Sequence, residues 1–466
     1  MKKGIRRSHS KGVTLILTVA LMTVIIPIAG LAIDVSLLYA VKAKLQAGVD
    51  AAALAGARSL NRGMDLASQA GNATTTATNF FNANFPNGHL STTGRVLTLA
   101  VAESAYKTRT VQVDAQVNAP AYFMRILGFR STTLTATGMA SRRDVNLVLV
   151  LDRSSSMSAV MTAMRAAARG FVEKFAEGRD NVGLIVFGGS SVQAFPNPSP
   201  SGPVSNFKTA NPSVDTLISQ MVNGGNTGTA QALWLAYQEL VKRNESGALN
   251  LIVFFTDGLP NGLVGEFNDP DAAKNLLKTT STCTYRRVAN RPMPGFLSQG
   301  SGFATTGTTY GIRLIGASTV SSLSEGPIQT NSNGCYYRSD DTKMRQDVLK
   351  MPTLDYYGSA TTGYVSVDLT KVDSPQHIGN ASLNAADSAV HRIRLDNSLN
   401  VVIYTIGYSG GTEAPDETWM KRISNDPTSA SYDNTRPPGL YVNATTTGDL
   451  SGAFARVASE ILRLAL

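Results

Sequence analysis

Hydrophobic and polar positions along the chain fall into three regimes. The first is an unbroken apolar run from Gly12 to Ile33, "GVTLILTVALMTVIIPIAGLAI", with no charged residue in it. At 1.5 Å per residue that run gives about 33 Å of helix, enough to cross the hydrocarbon core of a bilayer. Pro27 lies inside it, and membrane spans tolerate proline. Beyond Asp34 the period becomes three and four residues: Leu38, Val41, Leu45, Val49 and Ala52 mark one face of a long helix. The small residues from Ala51 to Ala57 would let a second helix approach closely. The alternative is a stalk without a partner.

The second regime is short and mixed. A helix is expected over Ala67–Phe85, ended by Pro86 and Gly88. Strand-like alternation follows in "RVLTLAV" and "TVQVDAQV", which sets Val111, Val113, Ala115 and Val117 on one face. "AYFMRILGF" reads as a short apolar helix stopped at Gly128, and "STTLTATGMA" as a further strand. No catalytic constellation occurs in this module.

The third regime alternates strand and helix. "NLVLVL", "NVGLIVFG", "LNLIVFF" and "LNVVIYTIGY" are short, wholly apolar runs of the kind buried on both faces of a sheet. "AVMTAMRAAARGFVEKFA", "GTAQALWLAYQELVKR" and "TGDLSGAFARVASEILRLAL" supply helices between and after them. The expected fold class is α/β, a doubly wound, mainly parallel, Rossmann-like sheet. Regularity lapses between Gly258 and about Asn400, where "NAADSAVHRIR" is the one clear helix. A structureless loop of that length would be unusual, so an inserted subdomain is expected. The resulting division is 1–57 for leader, transmembrane helix and juxtamembrane helix, and 58–143 for the small α+β module. The α/β domain takes 144–466, with its insertion at about 262–385.

Charge and cysteine content refine this. The formal charge is +9, but Lys2, Lys3, Arg6, Arg7 and Lys11 hold five of those charges, and the rest of the chain has no dominant basic run. A nucleic-acid partner is therefore not expected. The basic residues precede the apolar run, so the positive-inside rule puts the N-terminus in the cytoplasm and the bulk of the chain across the membrane. A cleaved signal would have a shorter apolar region. Processing at Gly12 is disfavoured by Leu17, which stands where pilin-type substrates carry Glu. Outside the cytoplasm Cys283 and Cys335 could pair, closing a loop of about 50 residues. Two unpaired buried thiols are the alternative.

Candidate chemistry gathers where the apolar strands end. "LVLVLDRSSSMS" closes its run on Asp152, with Ser154 and Ser156 two and four residues on. "FFTDG" places Asp257 after another buried strand, and "GGNTGTAQAL" places Thr227 in a glycine-rich loop before a helix. Ligands of open parallel sheets bind at the carboxyl ends of strands. Asp, Ser, Ser, Thr and Asp make an oxygen-only set, suited to Mg²⁺, Mn²⁺ or Ca²⁺ and not to zinc. Serine capping of the next helix is the bland alternative, and it leaves Thr227 and Asp257 unexplained.

These three elements, in this order, resemble a von Willebrand factor A domain. The resemblance implies a metal-ion-dependent adhesion site made of Asp152, Ser154, Ser156, Thr227 and Asp257, with Mg²⁺ the first choice of ion. It also implies that Asp257 holds the ion through water. Thr227 is preferred to Thr229 because it fits the family's Thr-x-x-x-x-Ala-Leu pattern ending at Leu233. The N-terminal part, with its basic leader, "GLAIDVSLLY" and "KLQAGVDAAALAGA", is similar to TadE/TadG-like proteins of bacterial Flp (Tad) pilus assembly. Such proteins commonly join this anchor to a von Willebrand A domain; the long insertion departs from a minimal one.

Enzyme readings lack their parts. The histidines are His9, His89, His377 and His391, and neither G-x-S-x-G nor a Walker-type G-x-x-x-x-G-K-[ST] is present. A phosphoaspartate enzyme would want an acid where Ser154 stands. The expectation is a non-enzymatic, single-pass inner-membrane component of pilus assembly that binds an acidic residue of a pilus-assembly or pilin-like protein through a divalent ion. The alternative is a surface adhesin that grips a host or matrix ligand with the same site.

Overall fold

The computed structural model describes residues 11–63, 65–189, 191–245, 247–267, 276–279, 284–287, 293–298, 313–316, 329–330, 351–370, 375–411 and 413–465. Cys283 and Cys335 lie outside them, as does much of the insertion expected at about 262–385. The chain divides into two compact units. One takes residues up to Leu60 with Ala67–Arg142, and the other takes Asn61–Leu66 with Arg143–Ala465.

In the first unit, helix α1 (Lys11–Ser59) runs through Pro27 without interruption. Helix α2 (Leu66–Asn84) is followed by strands β1 (Thr93–Ala105), β2 (Thr108–Pro120) and β3 (Ser131–Arg143), which form one sheet in the order β1-β2-β3. Residues Leu15–Ile28 of α1 are exposed, whereas Val41, Leu45, Val49 and Ala52 are buried. These pack with Ala73, Ala77 and Phe81 of α2 and with Val111, Val113, Ala115 and Val117 of β2 in one apolar core. The lower half of α1 is thus no free stalk: its small residues do admit a second helix. Helix and sheet come so close that a Cβ at Gly138 would lie 2.7 Å from the carbonyl of Val49. The expected apolar helix at 121–129 is a single 3₁₀ turn, Met124–Leu127, ended by Gly128 at φ +96°.

The second unit holds a six-stranded sheet. Strand β4 (Val145–Asp152) leads to α3 (Met161–Val172), β5 (Asn181–Phe187) and β6 (Ser191–Phe195). Then come α4 (Val214–Ser219), α5 (Thr229–Arg243) and β7 (Leu249–Thr256). The inserted stretch contributes β8 (Gly262–Phe267), β9 (Leu276–Thr279), β10 (Thr284–Arg287), β11 (Met293–Ser298), β12 (Arg313–Gly316) and β13 (Gln329–Thr330). The chain closes with α6 (Pro375–Arg394), β14 (Val402–Tyr408), α7 (Glu417–Ser424), β15 (Leu440–Ala444) and α8 (Asp449–Leu464). Strand order is β15-β14-β7-β4-β5-β6, parallel throughout except for β6 at one edge.

The doubly wound, mainly parallel sheet is the expected fold class. Its central strand shows why the runs are wholly apolar. Leu147, Leu149 and Leu151 face a core shared with α3, α4 and α8, while Val148 and Val150 face one shared with α5, α6 and α7. Helix α6 starts at Pro375, ahead of the limit expected for the insertion, and its Ile378, Ala381 and Ala385 pack in the sheet's own core. The first half of that helix therefore belongs to the layered domain. Strands β6 and β15 and helix α7 had no expected counterpart.

Candidate metal centre

The carboxyl ends of β4 and β7 lie side by side, and their last residues meet there. Asp152 ends β4 and is fully buried; Thr256 ends β7, also buried, with Asp257 next to it. Asp152 Oδ1 accepts the peptide N–H of Ser154 at 2.7 Å, and its Oδ2 accepts the hydroxyl of Thr256 at 2.6 Å. Across from it, Asp257 Oδ1 accepts the hydroxyl of Ser156 at 2.8 Å and, more weakly, that of Ser154 at 3.5 Å. The two serine hydroxyls are 3.0 Å apart. Asp152, Ser154, Ser156 and Asp257 thus form one connected cluster of oxygens.

Thr227 is buried in the loop before α5 but is not part of that bonded cluster. Its main chain is held instead: the side chain of Asn261 accepts the Thr227 N–H at 2.7 Å, and the Asn261 N–H donates to the Thr227 carbonyl at 3.1 Å. Asn261 follows Asp257 by four residues, so the Thr227 loop is tied to the loop that carries the second carboxylate. On the other side, both the N–H and the hydroxyl of Ser155 donate to the Gly225 carbonyl at 3.0 Å. Ser155, between the two cluster serines, thus fastens the β4 loop to the Thr227 loop. Arg153 adds to this: its carbonyl accepts Gly224 N–H at 2.7 Å, and its guanidinium donates to the Val222 carbonyl at 3.0 Å.

Three features bear on chemistry. First, the serines are not helix caps, because α3 begins after Val160 without a side-chain cap and Ser154 makes no capping bond to the turn it precedes. Second, both carboxyls are pushed up from the ordinary carboxylate range. Burial is the main cause for Asp152, followed by repulsion from Asp257; burial is also the main cause for Asp257, where the charge of Glu413 adds repulsion. Hydrogen bonds from Thr256, Ser154 and Ser156 oppose these shifts. None of the bonded partners named above is cationic, so the pair has a deficit of positive charge. Third, the donors are hard oxygens, the kind that Mg²⁺, Mn²⁺ and Ca²⁺ take. The two carboxylates and the hydroxyls of Ser154 and Ser156 in one cluster therefore fit a divalent ion. Among the described residues, no group of three or more His, Cys, Asp and Glu side chains is placed to hold a metal. His89 stacks edge-on against Phe85, and His377 and His391 lie on α6.

Sequence comparison gives two family matches. Residues 146–290 match the von Willebrand factor type A domain, and residues 12–59 match the Flp pilus-assembly TadE/G-like family. No curated protein matches the chain. Among solved structures, the pilus adhesin SpaC from Lactobacillus rhamnosus GG, in its open conformation, is 14% identical with a TM-score of 0.37. That alignment covers 79% of this chain and 34% of SpaC. A von Willebrand factor type A protein from Catenulispora acidiphila is 8% identical with a TM-score of 0.35, covering 79% of this chain and 50% of that one. The adhesive tip pilin GBS104 from Group B Streptococcus agalactiae is 15% identical with a TM-score of 0.37, covering 68% and 100%. The chain thus spans about a third of SpaC and half of the Catenulispora protein. It carries a TadE/G-like pilus-assembly segment at residues 12–59 and a von Willebrand factor type A domain at residues 146–290.

Proposed function

We propose that this chain is a membrane-anchored, non-enzymatic component of Tad/Flp pilus assembly that grips an acidic residue of a pilus-assembly or pilin-like protein through a divalent cation, Mg²⁺ first. The observation that carries this reading is the convergence of Asp152, Ser154, Ser156 and Asp257 on one oxygen cluster, in a chain whose N-terminal segment is of the pilus-assembly type. The exposed apolar half of α1 supports anchoring in the inner membrane, with the basic leader on the cytoplasmic side.

Asp152, Ser154 and Ser156 would hold the ion, with Thr227 beside them and Asp257 in support through water. A bound divalent ion supplies the positive charge that the paired carboxylates need and a coordination position for a partner's carboxylate. Thr256 orients Asp152, while Ser155 and Asn261 fix the loops on either side. The reading is one of binding, because a divalent ion between the two carboxylates would offer its open position to a partner's carboxylate.

Manganese binding to the purified full chain, followed by electron paramagnetic resonance, tests the site with the metal alone. The unaltered chain should bind one Mn²⁺ competitively with Mg²⁺, and Asp152→Asn should remove binding and, in the strain of origin, pilus assembly. Unchanged binding together with unchanged assembly would overturn the metal bridge. Normal pili with lost surface attachment in a deletion strain would shift the role to that of an adhesin.

A further inference from the structure

Residues 121–130, which join β2 to β3, present an apolar surface that water would not favour. Tyr122, Phe123, Ile126 and Phe129 are 50%, 38%, 83% and 60% exposed. They lie beside the uncharged half of α1, where Ile26, Pro27 and Leu31 form an apolar groove of about 260 Å³ with Phe123, Met124 and Ile126. The loop is fixed to the helix at two points. The Phe123 ring sits on Gly30, where a Cβ would be 2.5 Å from its Cδ1, so only glycine admits it. Asp34, fully buried, accepts the N–H groups of Tyr122, Phe123 and Met124 at 2.9, 2.9 and 2.7 Å.

Four further amides of the loop bond within it. Ala121 N–H donates to Arg130, Ile126 to Phe123, Gly128 to Arg125 and Phe129 to Met124, at 3.0 to 3.2 Å. A loop in water has no need to pair its amides, because water serves them; a loop among acyl chains must. Arg125 and Arg130 are exposed on the same loop, with side chains long enough to reach headgroup phosphates. Aromatic residues beside arginine are the composition of a membrane–water interface.

We propose that residues 121–130 are a second membrane-contact element, seated in the leaflet opposite the N-terminus. Tyr122, Phe123, Ile126 and Phe129 lie among phospholipid acyl chains, with Arg125 and Arg130 at the phosphates. The proposal rests on α1 being a membrane span. Depth follows from the helix rise: Gly30 and Ile26 stand four and eight residues before Asp34, about 6 and 12 Å along the axis. Interfacial segments bury themselves to about 5–10 Å. The loop therefore reaches the depth at which apolar side chains leave the headgroups and arginines do not.

Tryptophan scanning of the full chain in vesicles of phosphatidylcholine and phosphatidylglycerol tests this. Leu21→Trp reports the span, Ile126→Trp the loop, and Tyr106→Trp the turn between β1 and β2. The background of Trp234 and Trp419 is subtracted with the unaltered chain. Lipids brominated on the acyl chain should quench Leu21→Trp and Ile126→Trp, with a blue-shifted emission at both, and iodide in the water should quench only Tyr106→Trp. Lipid quenching at Leu21→Trp without quenching at Ile126→Trp overturns the proposal. Iodide access at Ile126→Trp would then place the loop in water, and protection from both quenchers would place it under a protein partner. Absence of lipid quenching at Leu21→Trp would remove the membrane span itself.

Discussion

Asp34 and Asp152 each end an apolar run and each is fully buried, yet their surroundings differ in kind. Asp34 faces three peptide N–H groups, donors whose direction the backbone fixes. Asp152 receives one peptide N–H and one hydroxyl, and it faces a second carboxylate across two serine hydroxyls. Peptide donors can only donate, so the shell around Asp34 is complete with the charge in place. Hydroxyls can turn from donating to accepting, and two neighbouring carboxylates call for a proton or a cation between them. Burial and chain position are alike at the two carboxylates; the identity of their donors is not.

Stability should therefore respond in opposite ways at the two sites. Asp34→Ala leaves the Tyr122, Phe123 and Met124 amides without their acceptor and should destabilise the loop. It would be read as lost hydrogen-exchange protection at Tyr122, Phe123 and Met124 in the detergent-solubilised chain. Asp152→Asn, measured in chelator, removes one of two mutually repelling charges and should unfold at or above the temperature of the unaltered chain. A destabilised Asp152→Asn beside an unaffected Asp34→Ala would reverse the comparison.

The two sites were also unequally legible. The apolar run "NLVLVL", the serines after it and the Thr-Asp-Gly after "LNLIVFF" are local signals, and a parallel sheet brings strand ends together by topology alone. That is why Asp152, Ser154, Ser156 and Asp257 could be named together. Asp34 reads in sequence only as the first charge past an apolar run; its partners lie 88 to 90 residues away. Thr256 and Asn261 escaped notice for a related reason: one looks like the last residue of a strand, the other like a turn residue in "TDGLPNG", and their bonds to Asp152 and Thr227 are long-range. Strands β6 and β15 are only five residues long and lie at the sheet edges, where alternation is too brief to register. Their neighbours Pro196 and Gly439 read as loop.

A smaller effect tests whether the shell of Asp152 is built for orientation. Thr256→Val keeps the volume of a buried strand end and removes the hydroxyl that Asp152 Oδ2 accepts. Losing such a supporting bond costs about 10-fold in metal affinity, and Mn²⁺ titration should show it, with Thr256→Ser restoring most of the loss. An unchanged affinity in Thr256→Val would mean that Asp152 is held by packing and the Ser154 amide alone.

The smallest effect separates the two threonines before α5. Thr229 opens the helix and Thr227 precedes it; both are buried. Asn261 holds the main chain of Thr227 on both its N–H and its carbonyl, and so fixes it to the loop of Asp257. Among the described residues, the bonds that join the oxygen cluster leave the Thr227 hydroxyl out. A hydroxyl placed by its backbone and not spent within the cluster is the one with a lone pair to offer an ion. Thr227→Val should therefore lower Mn²⁺ affinity, whereas Thr229→Val should leave it unchanged. A larger loss from Thr229→Val would move the ligand two residues along the chain. The contrast between a carboxylate closed by peptide donors and one opened by hydroxyls would stand, with a different hydroxyl at its edge.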